Sequence, residues 1–175
     1  NPKSVQAAPS TSVADAEAKL MEQFKAFAIR KRDYAKKIAV EQKVEPPQVA
    51  WDFFEGAIDE NFLISQKKYE QLSNQFGRGK NRADVSKEIQ DSIQPVWVPA
   101  KEVFGAMEAV DGWHAKFLLL YMRDIVGSIP KDSIYFGGTD PGRFAITLGS
   151  LSHEKANPFF TITQTLWLML GIYSA

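Results

Sequence analysis

The prediction of the fold depends most on residues 133–144, which read SIYFGGTDPGRF. The short β-prone run 134–136 ends at two glycines, and Asp140 followed by Pro141 is a typical start of a helix. In α/β proteins, polar turns at the ends of buried strands are where ligands bind. This stretch therefore predicts a strand, a ligand-binding turn and a helix, in that order.

The sequence that follows completes a predicted βαβ unit. Phe144, Leu148 and Leu151 fit one face of a helix over 144–152, and residues 159–163 read as a second strand. A right-handed crossover makes two such strands parallel. The predicted fold class is therefore helix-rich α/β, with long N-terminal helices followed by a Rossmann-like βαβ unit that we interpret as part of an incomplete domain.

Before residue 130 the apolar residues have helical spacing. A long amphipathic helix is predicted from Ser12 to Lys43, and further helices over 49–72, over 83–93 with an interruption at Pro95 and a linker at 96–99, and over 100–125. Apolar residues lie on all sides of the stretch 117–122, which indicates burial between neighbours. The predicted domain organisation is a flexible tail at 1–12, a helical region at 13–127, the βαβ unit at 128–164 and an apolar tail at 165–175.

The composition narrows the classes of partner. The chain has 175 residues, of which 45% are hydrophobic, and its 21 basic and 21 acidic residues give a formal net charge of zero. A neutral chain has no overall field that attracts nucleic acid, so no nucleic-acid partner is predicted. With no cysteine and two histidines, no metal site is predicted, and the cofactor is left unknown.

Residues 1–12 lack the apolar core of a signal peptide, and a removed signal or anchor fits this start.

The turn at 137–143 has two interpretations, and the sequence leaves both open. In the first it is structural, because Asp140 caps the helix and the glycines permit backbone conformations that a Cβ would block. In the second, the amides and dipole of the helix start hold an anion such as a phosphate or a phosphosugar. The predicted ligand-binding residues are Gly137, Gly138, Thr139, Asp140, Gly142, Arg143 and Gln164, the last at the carboxyl end of the second strand.

The turn does not specify a reaction, so enzymatic activity is left open. It has neither the Gly-Lys-Ser/Thr ending of a nucleotide-binding loop nor a third glycine at dinucleotide spacing. Asp140 is the one candidate catalytic residue, as a general base or a cation ligand. Ligand binding is the leading function, a non-enzymatic interaction or scaffold module whose long helices self-associate is the alternative, and a hydrolase is third.

Residues 134–144 and 157–164, the latter reading NPFFTITQ, resemble an uncharacterised bacterial family associated with the Verrucomicrobia and related phyla. The stretch is also similar to the extracytoplasmic parts of membrane proteins of glycosyltransferase-like architecture, in which a Gly-Asp turn follows a strand. The resemblance implies an extracytoplasmic or membrane-associated location in a bacterium, a membrane-anchored parent protein, and glycosyl transfer as a parent activity.

The chain departs from the family pattern after Gln164. The family continues TQNALAD, whereas residues 163–171 read TQTLWLMLG. Loss of one A from the codons CAA AAC GCT TTG GCT gives CAA ACG CTT TGG CT, which begins Gln-Thr-Leu-Trp. Our hypothesis is that residues 165–175 are a frameshifted tail on a truncated member.

Overall fold

The computed structural model describes residues 12–75, 85–130, 132–136, 140–150 and 160–162. Within these ranges the chain forms six helices and two short strands. In chain order they are α1 (Val13–Gln42), α2 (Gln48–Ile58), α3 (Phe62–Gln75), α4 (Lys87–Gly112), α5 (Ala115–Ser128), β1 (Ile134–Phe136), α6 (Asp140–Gly149) and β2 (Phe160–Ile162).

The fold is helical, and the predicted α/β, Rossmann-like class is wrong. β1 and β2 pair in parallel over three residues each, and this short ladder is the whole of the β-structure in the described ranges. A ladder of this size offers no layer for helices to cover. The apolar face of α6 instead packs on α4 and α5, so the core lies between helices.

The apolar face of α1 is buried in this core. Ser12 begins the helix with a capping box, because its hydroxyl accepts the Asp15 amide while its own amide donates to the Asp15 carboxylate. Leu20, Phe24 and Phe27 are then buried along one side, and α1 packs on α4. The longest amphipathic helix of the chain therefore leaves no apolar stripe for a partner along this side.

Three predicted helices differ from the structure. The predicted continuous helix over 100–125 is broken at residues 113 and 114, between α4 and α5. The predicted helix over 49–72 is broken between α2 and α3, where Glu60 has a φ of 61° and the Asn61 side chain accepts the Ile64 amide at 3.2 Å. The predicted interruption at Pro95 is wrong, because α4 runs through both Pro95 and Pro99. A proline inside a helix costs about 3 kcal/mol, and the burial of Ile93, Val96, Ala100 and Val103 on one side of α4 offsets that cost.

A close approach between α4 and α6 fixes the position of α6. Phe144 lies over Gly105, so closely that a Cβ at Gly105 would meet the Phe144 ring at 2.1 Å. Phe144 itself is 6% exposed. The absence of a side chain at Gly105 is therefore what lets the first turns of α6 reach the core.

Salt bridges join the helices at the rim of the core. They link α1 to α2 (Arg32 and Glu55, 3.1 Å), α1 to α4 (Lys31 and Glu102, 2.6 Å) and α2 to α3 (Asp52 and Lys68, 2.8 Å). Asp52 also accepts a hydrogen bond from the Gln48 amide at 2.9 Å. The hydrogen bond from Lys68 lowers the pKa of Asp52 below its usual value of 3.8, and the hydrogen bond from Gln48 lowers it further by a smaller amount.

Replacing Gly105 by alanine is expected to destabilise the protein. The new methyl group would overlap the Phe144 ring, and overpacking of this kind costs about 1–3 kcal/mol. Gly112→Ala is the matched control, because a Cβ at Gly112 meets nothing within 4 Å; it should leave stability unchanged or raise it by up to about 1 kcal/mol. Urea denaturation of both variants measures the difference, and equal midpoints would contradict the close contact.

The Asp52 carboxylate gives the fold an acid-sensitive contribution. Because its folded pKa is depressed, this contribution is complete above the unfolded value near 3.8 and is lost as the pH falls through the lower folded pKa. Asp52→Asn should therefore lower the free energy of unfolding by about 0.2–1 kcal/mol at pH 7, the scale of a partly exposed pair, and by less at pH 2. Lys68→Gln should reproduce the loss, and the double variant should add little. A constant difference between wild type and Asp52→Asn from pH 7 to pH 2 would show that the pair does not act this way.

Candidate functional site

The predicted ligand-binding residues fall on the segment that leads from β1 into α6. Gly137, Gly138, Thr139 and Gln164 lie outside the described residues. Asp140 is the first residue of α6, but its side chain also lies outside the description, so its capping and catalytic roles stay predictions. Of the predicted set, the structure brings Gly142 and Arg143 together in the first turn of α6.

Arg143 is buried and is not exposed to solvent on a surface turn. The residue is 3% exposed, and its guanidinium carbon lies 4.2 Å from the centre of the Phe144 ring. The Thr147 hydroxyl donates to the Arg143 carbonyl oxygen at 3.0 Å, one turn further along. Burial of Phe144 on α4 thus carries a positive charge into the protein interior.

Tyr121 lies against the same turn, and Tyr135 interacts electrostatically with Tyr121. A Cβ at Gly142 would lie 2.9 Å from the Tyr121 hydroxyl oxygen, so this hydroxyl, on α5, is next to the backbone of the first turn of α6. Tyr135 is the central residue of β1. Burial, and to a smaller extent the neighbouring Tyr121, raise the pKa of Tyr135 above its usual value of 10.0. The Tyr135 phenol therefore stays protonated at neutral pH and can donate a hydrogen bond.

We define the α6 start site as Tyr121, Tyr135, Gly142 and Arg143. It combines phenol hydroxyls, a guanidinium and the amino end of a helix, all of which favour a negative charge. This set can bind and orient an anionic oxygen. It supplies no acid–base pair by itself, and a reaction there would need the Asp140 carboxylate or another group.

Sequence reasoning missed the two tyrosines. It treated Tyr121 as one more apolar position of a helix and Tyr135 as a strand residue, because each fits the local period. The position of Tyr121 beside α6, and its interaction with Tyr135, depend on the packing of α5, β1 and α6, which no local pattern encodes. The available signal was chemical: a tyrosine on a buried face carries a hydroxyl that usually finds a polar partner.

A separate cleft of about 520 Å³ lies between the start of α3 and the end of α4. Its apolar side is aromatic, and Phe104 stacks on Tyr69 with ring centres 4.0 Å apart and planes 9° apart. Its lining residues are Phe62, Leu63, Gln66, Phe104, Met107, Glu108, Asp111 and Gly112. None of the predicted ligand-binding residues belongs to this lining.

Two further findings on the described residues concern metal binding and membrane crossing. They contain no group of three or more histidines, aspartates or glutamates that could hold a metal ion. Among the described helices, none has both the length and the apolar character needed to cross a membrane.

Comparison with known proteins gives no relative from which a function could be transferred. No protein-family model, no curated protein and no solved structure matches the chain. The resemblance of residues 134–144 and 157–164 to a bacterial family therefore stays a prediction, and the case for a function depends on the α6 start site itself.

Proposed function

We propose that the protein binds the anionic group of a small molecule, a phosphate or a phosphosugar, at the α6 start site. The observation that carries the proposal is the burial of Arg143, 3% exposed, in the first turn of α6. The start of a helix carries about half a positive charge, so a cation placed there opposes the helix dipole. A bound anion would be attracted by both positive groups at once.

The tyrosines give the bound group its hydrogen bonds. The Tyr121 hydroxyl, close to the Gly142 backbone, and the protonated Tyr135 phenol can each donate to a phosphate oxygen. Hydrogen bonds to a charged group contribute about 1.5–3 kcal/mol each. After the cost of association, we expect a dissociation constant of roughly 1 mM for inorganic phosphate, equivalent to about 4 kcal/mol.

The remaining parts of the proposal come from the sequence. Gly137, Gly138, Thr139, Asp140 and Gln164 extend the ligand-binding set on the basis of the turn and the second strand. The resemblance adds a sugar as the organic part of the ligand, a glycosyltransferase-like parent protein and an envelope-associated location. These additions are expectations about the ligand and the setting, and binding of the anion does not depend on them.

The test is a phosphate titration followed by calorimetry and by thermal unfolding, with chloride at equal ionic strength as the reference. Wild type should bind phosphate and unfold at a higher temperature in its presence. Tyr121→Phe keeps the ring and removes the hydroxyl, so affinity should fall about 3- to 30-fold while the fold is retained. Tyr34→Phe, on the exposed side of α1, is the matched control and should behave as wild type.

Arg143→Lys separates the ligand-binding role of Arg143 from a purely structural one. Lysine keeps the charge and loses the planar fork, so phosphate affinity should fall about tenfold or more. The proposal is overturned if wild type shows no phosphate response beyond chloride. It is also overturned if Tyr121→Phe and Arg143→Lys, both folded by circular dichroism, retain wild-type affinity.

A further inference from the structure

Helix α5 has two apolar sides, and the described core covers only one of them. Ala115, Leu118 and Met122 are buried against the other helices. On the opposite side Phe117 is 69% exposed and Leu120 is 43% exposed. Large apolar side chains grouped on one face mark an interaction surface more often than single ones do.

Three charged residues and one aromatic residue around this face are arranged symmetrically about Leu120. Lys116 and Asp124 lie four positions before and after it, and Phe117 and Arg123 lie three positions before and after it. Asp124 and Arg123 are exposed, with the Arg123 guanidinium 2.7 Å from the Asp124 carboxylate. We call the side formed by the half-buried Lys116 and the exposed Phe117, Leu120, Arg123 and Asp124 the α5 face.

We propose that a second copy of this chain covers the α5 face, with the two α5 helices antiparallel and crossing on a two-fold axis at Leu120. In such an isologous pair, residues equally far from the axis meet. Lys116 then faces Asp124 of the second copy, and Arg123 lies over the Phe117 ring of the second copy, each contact occurring twice. The proposal is independent of the α6 start site.

Charge decides between the two ways of pairing the helices. In a parallel pair in register, Lys116 would meet Lys116, Arg123 would meet Arg123 and Asp124 would meet Asp124. Like charges across an interface disfavour that arrangement, whereas the antiparallel pair sets Lys116 against Asp124 and sets Arg123 against the Phe117 ring, so that no like charges face each other. The chain also has a formal net charge of zero, so two copies do not repel each other as a whole.

The carboxyl end of the α5 face is open. Gly127 lies seven positions beyond Leu120, and a Cβ there would meet nothing within 4 Å. One helix pair forms a small interface, and we expect a dissociation constant on the order of 10–100 µM.

Sedimentation equilibrium of the full chain between 5 and 500 µM tests the proposal. Wild type should shift from monomer to dimer over this range. Phe117→Ser should weaken association at least tenfold, and Val40→Ser, an equally exposed apolar position on α1 at 77% exposure, should not. A wild type that stays monomeric at 500 µM overturns the proposal, as does association that Phe117→Ser leaves unchanged.

A charge exchange tests the antiparallel pairing itself. Lys116→Asp and Asp124→Lys should each weaken self-association about 3- to 10-fold. An equimolar mixture of the two variants should restore it, because each copy then presents to the other the charge that it lacks. Weakening without restoration overturns the pairing, and association that survives both substitutions places the interface elsewhere. Circular dichroism confirms that each variant is folded.

A single introduced cysteine tests where the two-fold axis of the dimer lies. The chain has no cysteine of its own, so Leu120→Cys can cross-link only to Leu120→Cys of another copy. A disulfide needs Cα atoms about 4.4–6.8 Å apart, which only positions near the two-fold axis satisfy. Mild oxidation should give a covalent dimer of Leu120→Cys, and Val40→Cys should remain mostly monomeric. Equal cross-linking of the two variants contradicts an axis at Leu120.

Discussion

The contact of Phe144 with Gly105 is the constraint on which the rest of the architecture depends. It brings α6 so close to α4 that no side chain can stand at Gly105. Once Phe144 is seated there, the adjacent Arg143 is carried into the interior and Gly142 is held next to the Tyr121 hydroxyl. A packing contact between two helices therefore places Gly142, Arg143 and Tyr121 of the α6 start site, and β1 contributes Tyr135.

The same constraint explains why the fold class was predicted wrongly. The run 134–136, the turn and the helix start predict the beginning of a sheet, because strand–turn–helix order is typical of α/β proteins. The strands are three residues long and pair only with each other in the described ranges. Phe144 and Leu148, which were expected to pack on a sheet, face helices instead. Periodicity identifies an apolar face, but it does not identify the element that covers it.

Local signals were sufficient where the cause is local. Ser12 with Asp15 marks the start of α1, and Pro46 and Pro47 follow its end, so the first helix could be predicted closely. They failed where packing outweighs propensity, as at Pro95 and Pro99 inside α4. In the candidate site, the sequence indicates Gly142 and Arg143 but neither Tyr121, which α5 places beside Gly142, nor Tyr135, which interacts with Tyr121. The depth of Arg143 could not be predicted, since it follows from the contact at Gly105.

Helix α5 connects these observations because its faces have different partners. Leu118 and Met122 face the core, and Tyr121 approaches the first turn of α6. The sequence between Phe117 and Met122 is apolar on all sides, which is typical of a helix buried between neighbours. The described core covers one side, while Phe117 and Leu120 remain exposed on the other. A second copy on the α5 face would supply the missing neighbour. The apolar side chains of α5 would then be covered on both sides in the dimer, whereas the isolated chain covers only one side.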